Sequence, residues 1–162
     1  MLILGVDPGT AATGYGLVEF MRGSLSLVDC GCIQTAGTLT LADRLQILYQ
    51  QLTGILRCYR PDQFAVEEVF FNKNIRTAMA VSQARGVILL AAADAGLAIC
   101  EYTPLQVKQA VVGYGRATKQ QVRFMVKSIL RLSILPGPDD VADALAVAIC
   151  HAHMSTGVGK IK

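Results

Sequence analysis

With 162 residues, 52% of them hydrophobic and 17% charged, the chain is long enough to bury one substantial core without staples and too apolar to be disordered. An odd count of five cysteines, and a start that lacks a basic region before its apolar run, fit a cytoplasmic protein with free thiols rather than a secreted disulfide scaffold. The longest apolar stretch, 86–100, is broken by Asp94 and too short to span a bilayer, so no membrane role is expected.

Leu2 to Val6 is a short apolar run that ends on Asp7, and Pro8 and Gly9 stop it there. A strand with a carboxylate at its carboxyl end is the expected result. Thr13 to Phe20 predicts a second strand, hairpinned to the first, whose Gly14 and Gly16 leave room for a close approach to the backbone. Met21 to Gly23 reads as a turn and Leu25 to Gln34 as a third strand. Leu41, Leu45, Leu48, Leu52 and Ile55 fall on one helical face, and that helix should end before Pro61 with its stripe on the sheet. Asp62 to Val69 predicts a fourth strand ending in acids, Glu67 and Glu68. Alternation lets only one of them point where Asp7 points, and periodicity does not say which.

Phe70 to Asn74 is a loop whose aromatics, beside Lys73, suit stacking on a base as well as core packing. Ile75 to Ala95 predicts a long helix, apolar enough around its circumference to be buried on two sides, against the sheet and a second subunit. Leu97 to Tyr102 is a fifth strand, and Pro104 opens a short helix ended by Gly113 and Gly115. Thr118 caps a helix on which Lys119, Arg123, Lys127 and Arg131 step by four along one side, opposite Val122, Met125, Val126 and Ile129. A last helix runs from Asp139, its expected N-cap, to His153.

The net charge is only +3, but residues 103–137 contain no acid and six bases: Lys108, Arg116, Lys119, Arg123, Lys127 and Arg131. With Lys73, Arg76 and Arg85 upstream, this region favours a polyanionic partner such as nucleic acid. Asp140 and Asp143, three apart, share a helix face and are expected in the first turn, where acids suit the macrodipole. Asp143 also lies within an apolar run, which argues for more than decoration. Asp7, one of Glu67 or Glu68, Asp140 and Asp143 make an oxygen-only donor set, which suits Mg²⁺ or Mn²⁺ rather than zinc. Two such ions about 4 Å apart can clamp the attacking and leaving oxygens of a phosphodiester. The pattern predicts a metal-dependent nuclease.

Five stretches, L-G-V-D-P-G-T with T-G-Y-G, P-D-Q-F-A-V-E-E-V-F, Q-A-R-G-V, Q-V-K-Q-A-V-V-G and A-D-A-L-A-V-A-I, occur in the order seen in the RuvC family of Holliday junction resolvases. The chain resembles that family over essentially its whole length. The resemblance implies an α/β, RNase H-like fold: a five-stranded mixed sheet, three antiparallel strands then parallel ones, flanked by helices. It implies a nuclease domain over 1–154 and a short polar tail over 155–162, in place of a longer family-type tail. It also implies a homodimer that nicks a four-way DNA junction symmetrically and works with a branch-migration motor complex.

Residue by residue, Asp7, Glu67, Asp140 and Asp143 match the family's carboxylates, with Glu68 an accessory. Some members carry His at the fourth position, so Asp143 keeps this set all-carboxylate. Phe70 matches an aromatic associated with unstacking bases, and Lys108 and Lys119 match junction-binding bases. Lys73, Arg76, Arg116 and Arg123 join them as candidate DNA contacts. Two Mg²⁺ per subunit are implied, Mn²⁺ substituting: one between Asp7 and the helix acids for the attacking water, one between Asp7 and Glu67 for the leaving 3′ oxygen. The products would be 5′-phosphate and 3′-hydroxyl ends.

Three rivals share parts of this pattern. An actin-like or sugar-kinase phosphate loop also uses D-P-G-T, but it needs two domains, which 162 residues do not supply. A non-catalytic junction-binding module would be expected to lose an acid. An RNase H-like nuclease acting on RNA or other branched DNA keeps the same residues. Cys30, Cys32 and Cys150 with His151 and His153 suggest zinc only if they meet in space, and Cys150 fits the core better.

Overall fold

The computed structural model describes residues 1–68 and 75–157, the side chains of 75–77 excepted. Phe70, Phe71, Lys73 and the side chain of Arg76 therefore lie outside the described residues, as do residues 158–162.

Strands β1 (Leu2–Asp7), β2 (Ala12–Met21) and β3 (Ser24–Gln34) form an antiparallel meander. Arg22 and Gly23 join β2 to β3 with φ of 52° and 81°, the two positive values a primed hairpin turn requires. Helix α1 (Leu41–Tyr59) is capped by Thr40 and ends on a left-handed Arg60 before Pro61. Then β4 (Gln63–Glu67), α2 (Ile75–Asp94) and β5 (Ile99–Tyr102) complete a sheet of order β3-β2-β1-β4-β5. β1 pairs with β4, and β4 with β5, in parallel. The mixed five-stranded sheet expected from the resemblance is present. α3 (Pro104–Val112), α4 (Lys119–Ile129) and α5 (Asp139–Ser155) follow.

Alternation along the strands sorts the core into two layers. Leu4, Val6, Leu17, Phe64 and Val66 pack on Leu48, Leu52 and Leu56 of α1 and Ala84, Ile88 and Ala91 of α2. Ile3, Val18, Ala65 and Tyr102 face α5, with Val107 and Val111 of α3 and Val122 and Val126 of α4 behind it. α5 is nearly engulfed: every residue from Val141 to Ala152 except Asp143 is buried.

Glycine on β1 and β2 brings α5 this close. A Cβ on Gly5 would lie 2.3 Å from the Ala144 carbonyl oxygen, one on Gly14 1.9 Å from that of Asp140, and one on Gly16 2.5 Å from Leu145. The room at Gly14 and Gly16 is therefore filled by α5.

Three expectations need correcting. α4 ends at Ile129, and Arg131 sits beyond it in a left-handed conformation (φ 54°), so the basic row on the helix stops at Lys127. Pro138, not Asp139, occupies the N-cap of α5, and Asp143 falls in its second turn. β4 ends at Glu67; the Glu68 N–H makes the last bond to β5, on the Tyr102 carbonyl (2.8 Å). The second side of α2, expected to meet another subunit, is open within one chain: Met79, Gln83, Gly86, Leu90 and Ala93 form an exposed stripe.

Candidate active site

β1 and β4 run in parallel at the centre of the sheet, so their carboxyl ends lie side by side. Gly5 pairs with Ala65 and Val6 with Val66, which sets Asp7 beside Glu67. Val66 points into the α1 layer, so Glu67 points the other way, toward α5. The same parity holds for Gly5 and Asp7. Just beyond Asp7, the buried Thr13 hydroxyl donates to the Gly9 carbonyl (2.6 Å) and closes the turn.

Asp143 of α5 reaches the same place. A cleft of about 270 Å³ is lined by Asp7, Glu67 and Asp143, by Lys108 and Pro104 of α3, and by Lys119 of α4. Asp140, three residues back on α5, does not line the cleft, although its charge still repels Asp7. Burial, then the charges of Glu67, Asp143 and Asp140, push Asp7 up to about 8 against the opposing pull of Lys119. Burial and Asp143 push Glu67 up to about 7, with Lys119 and Lys108 opposing. The Lys119 ammonium donates to Asp143 (3.0 Å), and that carboxylate raises the lysine's own pKa. Among the described residues no three His, Cys, Asp or Glu side chains close into a metal cage. The acids are near enough to feel one another through low-dielectric protein, but do not touch a common centre.

Other candidates fall around this cleft. Arg123 pairs with Asp139 at the α5 N-terminus, and Arg116 is exposed on the α3–α4 loop. Sequence reasoning missed Pro104 and Val122 as cleft walls and Cys32 as a neighbour; burial, then the charges of Asp140 and Asp7, raise this thiol. Cys32 was reachable in principle, since a paired strand places it opposite Gly14. The zinc reading fails on geometry. His151 is buried between the Tyr102 hydroxyl (2.8 Å) and Gln63, His153 bonds the Ala110 carbonyl (3.0 Å), and Cys150 is fully buried in the core. Among the described residues no helix is long and apolar enough to cross a membrane.

A mixed sheet with acids at the ends of its central parallel strands, completed by an acidic helix laid across it, defines the class as RNase H-like. The family model described as crossover junction endodeoxyribonuclease RuvC matches residues 3–151. A protein of that description from Pelotomaculum thermopropionicum is 63% identical over 162 residues, covering 100% of this chain and 99% of the relative. The chain belongs to the RuvC family. The Thermus thermophilus RuvC, solved in complex with a Holliday junction substrate, superposes with a TM-score of 0.92 at 35% identity, over 98% of this chain and 96% of that one. The yeast mitochondrial Holliday junction resolvase Ydc2 shares the fold, with a TM-score of 0.65 at 11% identity over 91% of this chain and 77% of that one.

Proposed function

We propose that this chain is a metal-dependent endodeoxyribonuclease that resolves four-way DNA junctions by paired, symmetric nicks in recombination and repair. The observation that carries the reading is the convergence of Asp7, Glu67 and Asp143 on one cleft with Lys108 and Lys119, in a chain of this family. The donor set fits hard divalent cations. It is all oxygen, and Asp7 and Glu67 hold their protons up to about 8 and 7, so positive charge is what the cleft lacks. Asp7 and Glu67 with Asp140 and Asp143 would hold two Mg²⁺, or Mn²⁺ in their place. When bound, the metal supplies Lewis-acid stabilisation of charge at the phosphate and a nucleophilic water.

The chain's own residues do the rest. Asp7, on the most buried strand, is the acid that faces all three others and is best placed to share its oxygens. Lys108 and Lys119, the latter now donating to Asp143, draw the phosphodiester to the cleft mouth. Arg116 and Arg123 extend the cationic track along the backbone. Phe70, Lys73 and Arg76 follow Glu67 in sequence and are assigned to the junction centre. Residues 1–154 act as the nuclease domain, in the cytoplasm, with a branch-migration motor as partner.

Two nicks need two clefts, and the exposed α2 stripe is suited to pair two chains. The ends left are 5′-phosphate and 3′-hydroxyl. A mobile four-way junction and a matched linear duplex, each incubated with Mg²⁺, test the reading. Symmetric nicks in the junction alone, abolished in Asp7→Asn, are expected; equal cutting of the duplex would overturn it.

A further inference from the structure

The loop from α3 to α4 carries an aromatic for which the nuclease reading has no role so far. The loop is pinned at four points. Gly113 ends α3 in a left-handed conformation (φ 96°) with its N–H on the Gln109 carbonyl (2.9 Å). Gly115 lies so close to α3 that a Cβ there would meet Leu105 Cδ1 at 2.0 Å. Ala117 is buried, and Thr118 and Gln121 form a capping box that starts α4. Between these anchors Tyr114 is left 46% exposed, and Leu105, which a Cβ on Gly115 would meet, is 55% exposed. Lys108 follows Leu105 by three residues on the same helix and lines the cleft. Arg116 is exposed and makes no ion pair among the described residues.

Single exposed apolar residues are ordinary. This one is held by a pinned loop between two helices that each deliver a lysine to the cleft, with Lys108 before it and Arg116 after it in the chain. Cations along a track with an aromatic between them are the composition of a surface that binds a nucleic-acid strand.

We propose that Tyr114 contacts DNA: its ring, on the pinned loop between the two lysine-bearing helices, stacks on a nucleobase of the strand led into the cleft. The proposal rests on the nuclease reading and adds a sequence-tolerant anchor to the cationic track. A ring held this way raises affinity without adding charge, so its loss leaves the salt dependence of binding unchanged.

Affinity for a fluorescent four-way junction, measured in an Asp7→Asn background where it stays uncut, separates the outcomes. Tyr114→Ala is expected to weaken binding about 5- to 100-fold, and Tyr114→Phe to stay within about twofold of the parent. The slope of log affinity against log salt should be unchanged in Tyr114→Ala and shallower by roughly one in Arg116→Ala. Parental binding by Tyr114→Ala, or a Phe variant as weak as the Ala variant, overturns the inference. If Tyr114→Ala loses its fold, Tyr114→Leu decides, since it keeps apolar bulk without a π face; parental binding there overturns the inference. An Asp7→Asn parent that ignores the junction altogether overturns the nuclease reading itself, and this inference with it.

Discussion

Asp7 has the most to lose from its own position. A carboxylate buried beside three others destabilises the fold whenever it is charged, a cost that the cations proposed for this cleft would offset. Its folded-state pKa near 8, and that of Glu67 near 7, lie above the ordinary carboxylate range. Between that range and about 8 the native state keeps protons that the unfolded chain has released, so stability falls as pH rises through this window. Metal-free protein in chelator should therefore melt higher near pH 5.5 than near pH 8.5, by roughly 5 °C or more, since about 1 kcal/mol moves Tm by ~2–4 °C at this size. Mg²⁺ should remove most of that slope, because it binds the ionised acids of the native state alone. Calorimetric scans across pH, with and without Mg²⁺, check both points. Asp7→Asn should flatten the metal-free slope and raise Tm at pH 8.5. Its junction cleavage should drop by roughly 10³-fold or more, the scale of losing one preorganised charge-stabilising group. A variant more stable than its parent and inactive would separate function from folding at one residue.

At the scale of elements, the glycines carry the construction. Gly14→Ala would place a methyl 1.9 Å from the Asp140 carbonyl oxygen, backbone against backbone, with no flexible tip to yield. α5 must lift, and Asp140 and Asp143 lift with it. A loss of about 1–3 kcal/mol in urea unfolding is expected, with a fall in cleavage that Mg²⁺ does not restore. Gly54→Ala is the contrast: an exposed position within α1 with nothing near its Cβ. It should gain about 0.5–1 kcal/mol by the same measurement, with cleavage unchanged.

The elements themselves were legible because each begins or ends on local chemistry: Pro8-Gly9, Pro61, Thr118, Pro136 to Pro138. Which of Glu67 and Glu68 faces Asp7 was not legible from alternation, since Phe64, Ala65 and Val66 are all buried. The usable signal was side-chain size. Gly5 and Ala65 are the small residues on the face where α5 lies, and Asp7 and Glu67 each follow by two. Periodicity also overstated α4, because Arg131 continues the row in sequence but lies past the end of the helix. The role of Gly14 and Gly16 depended on a helix more than 120 residues away in sequence, which no local pattern records.

For the whole molecule the open term is the second subunit. One chain offers one carboxylate cleft, and a four-way junction cut symmetrically needs two held at a fixed separation. Met79, Gln83, Gly86, Leu90 and Ala93 recur along the outer side of α2 at helical spacing, with Met79 59% and Leu90 54% exposed. Gly86 in the middle has open space where a Cβ would stand, with no neighbour within 4 Å, so a partner helix can approach closely there. Met79→Glu with Leu90→Glu puts two like charges on each side of such an interface, where desolvated repulsion outweighs the apolar contact it replaces. Light scattering should show a shift from dimer to monomer, the circular dichroism of the folded chain should be unchanged because both positions face solvent within it, and Tm should lose its dependence on protein concentration. On a plasmid that extrudes a cruciform, paired nicks give linear product and a lone nick gives an open circle. The double variant should move product from linear to open circle. Linear product at the parental level from a monomeric variant would show that pairing does not depend on this face of α2.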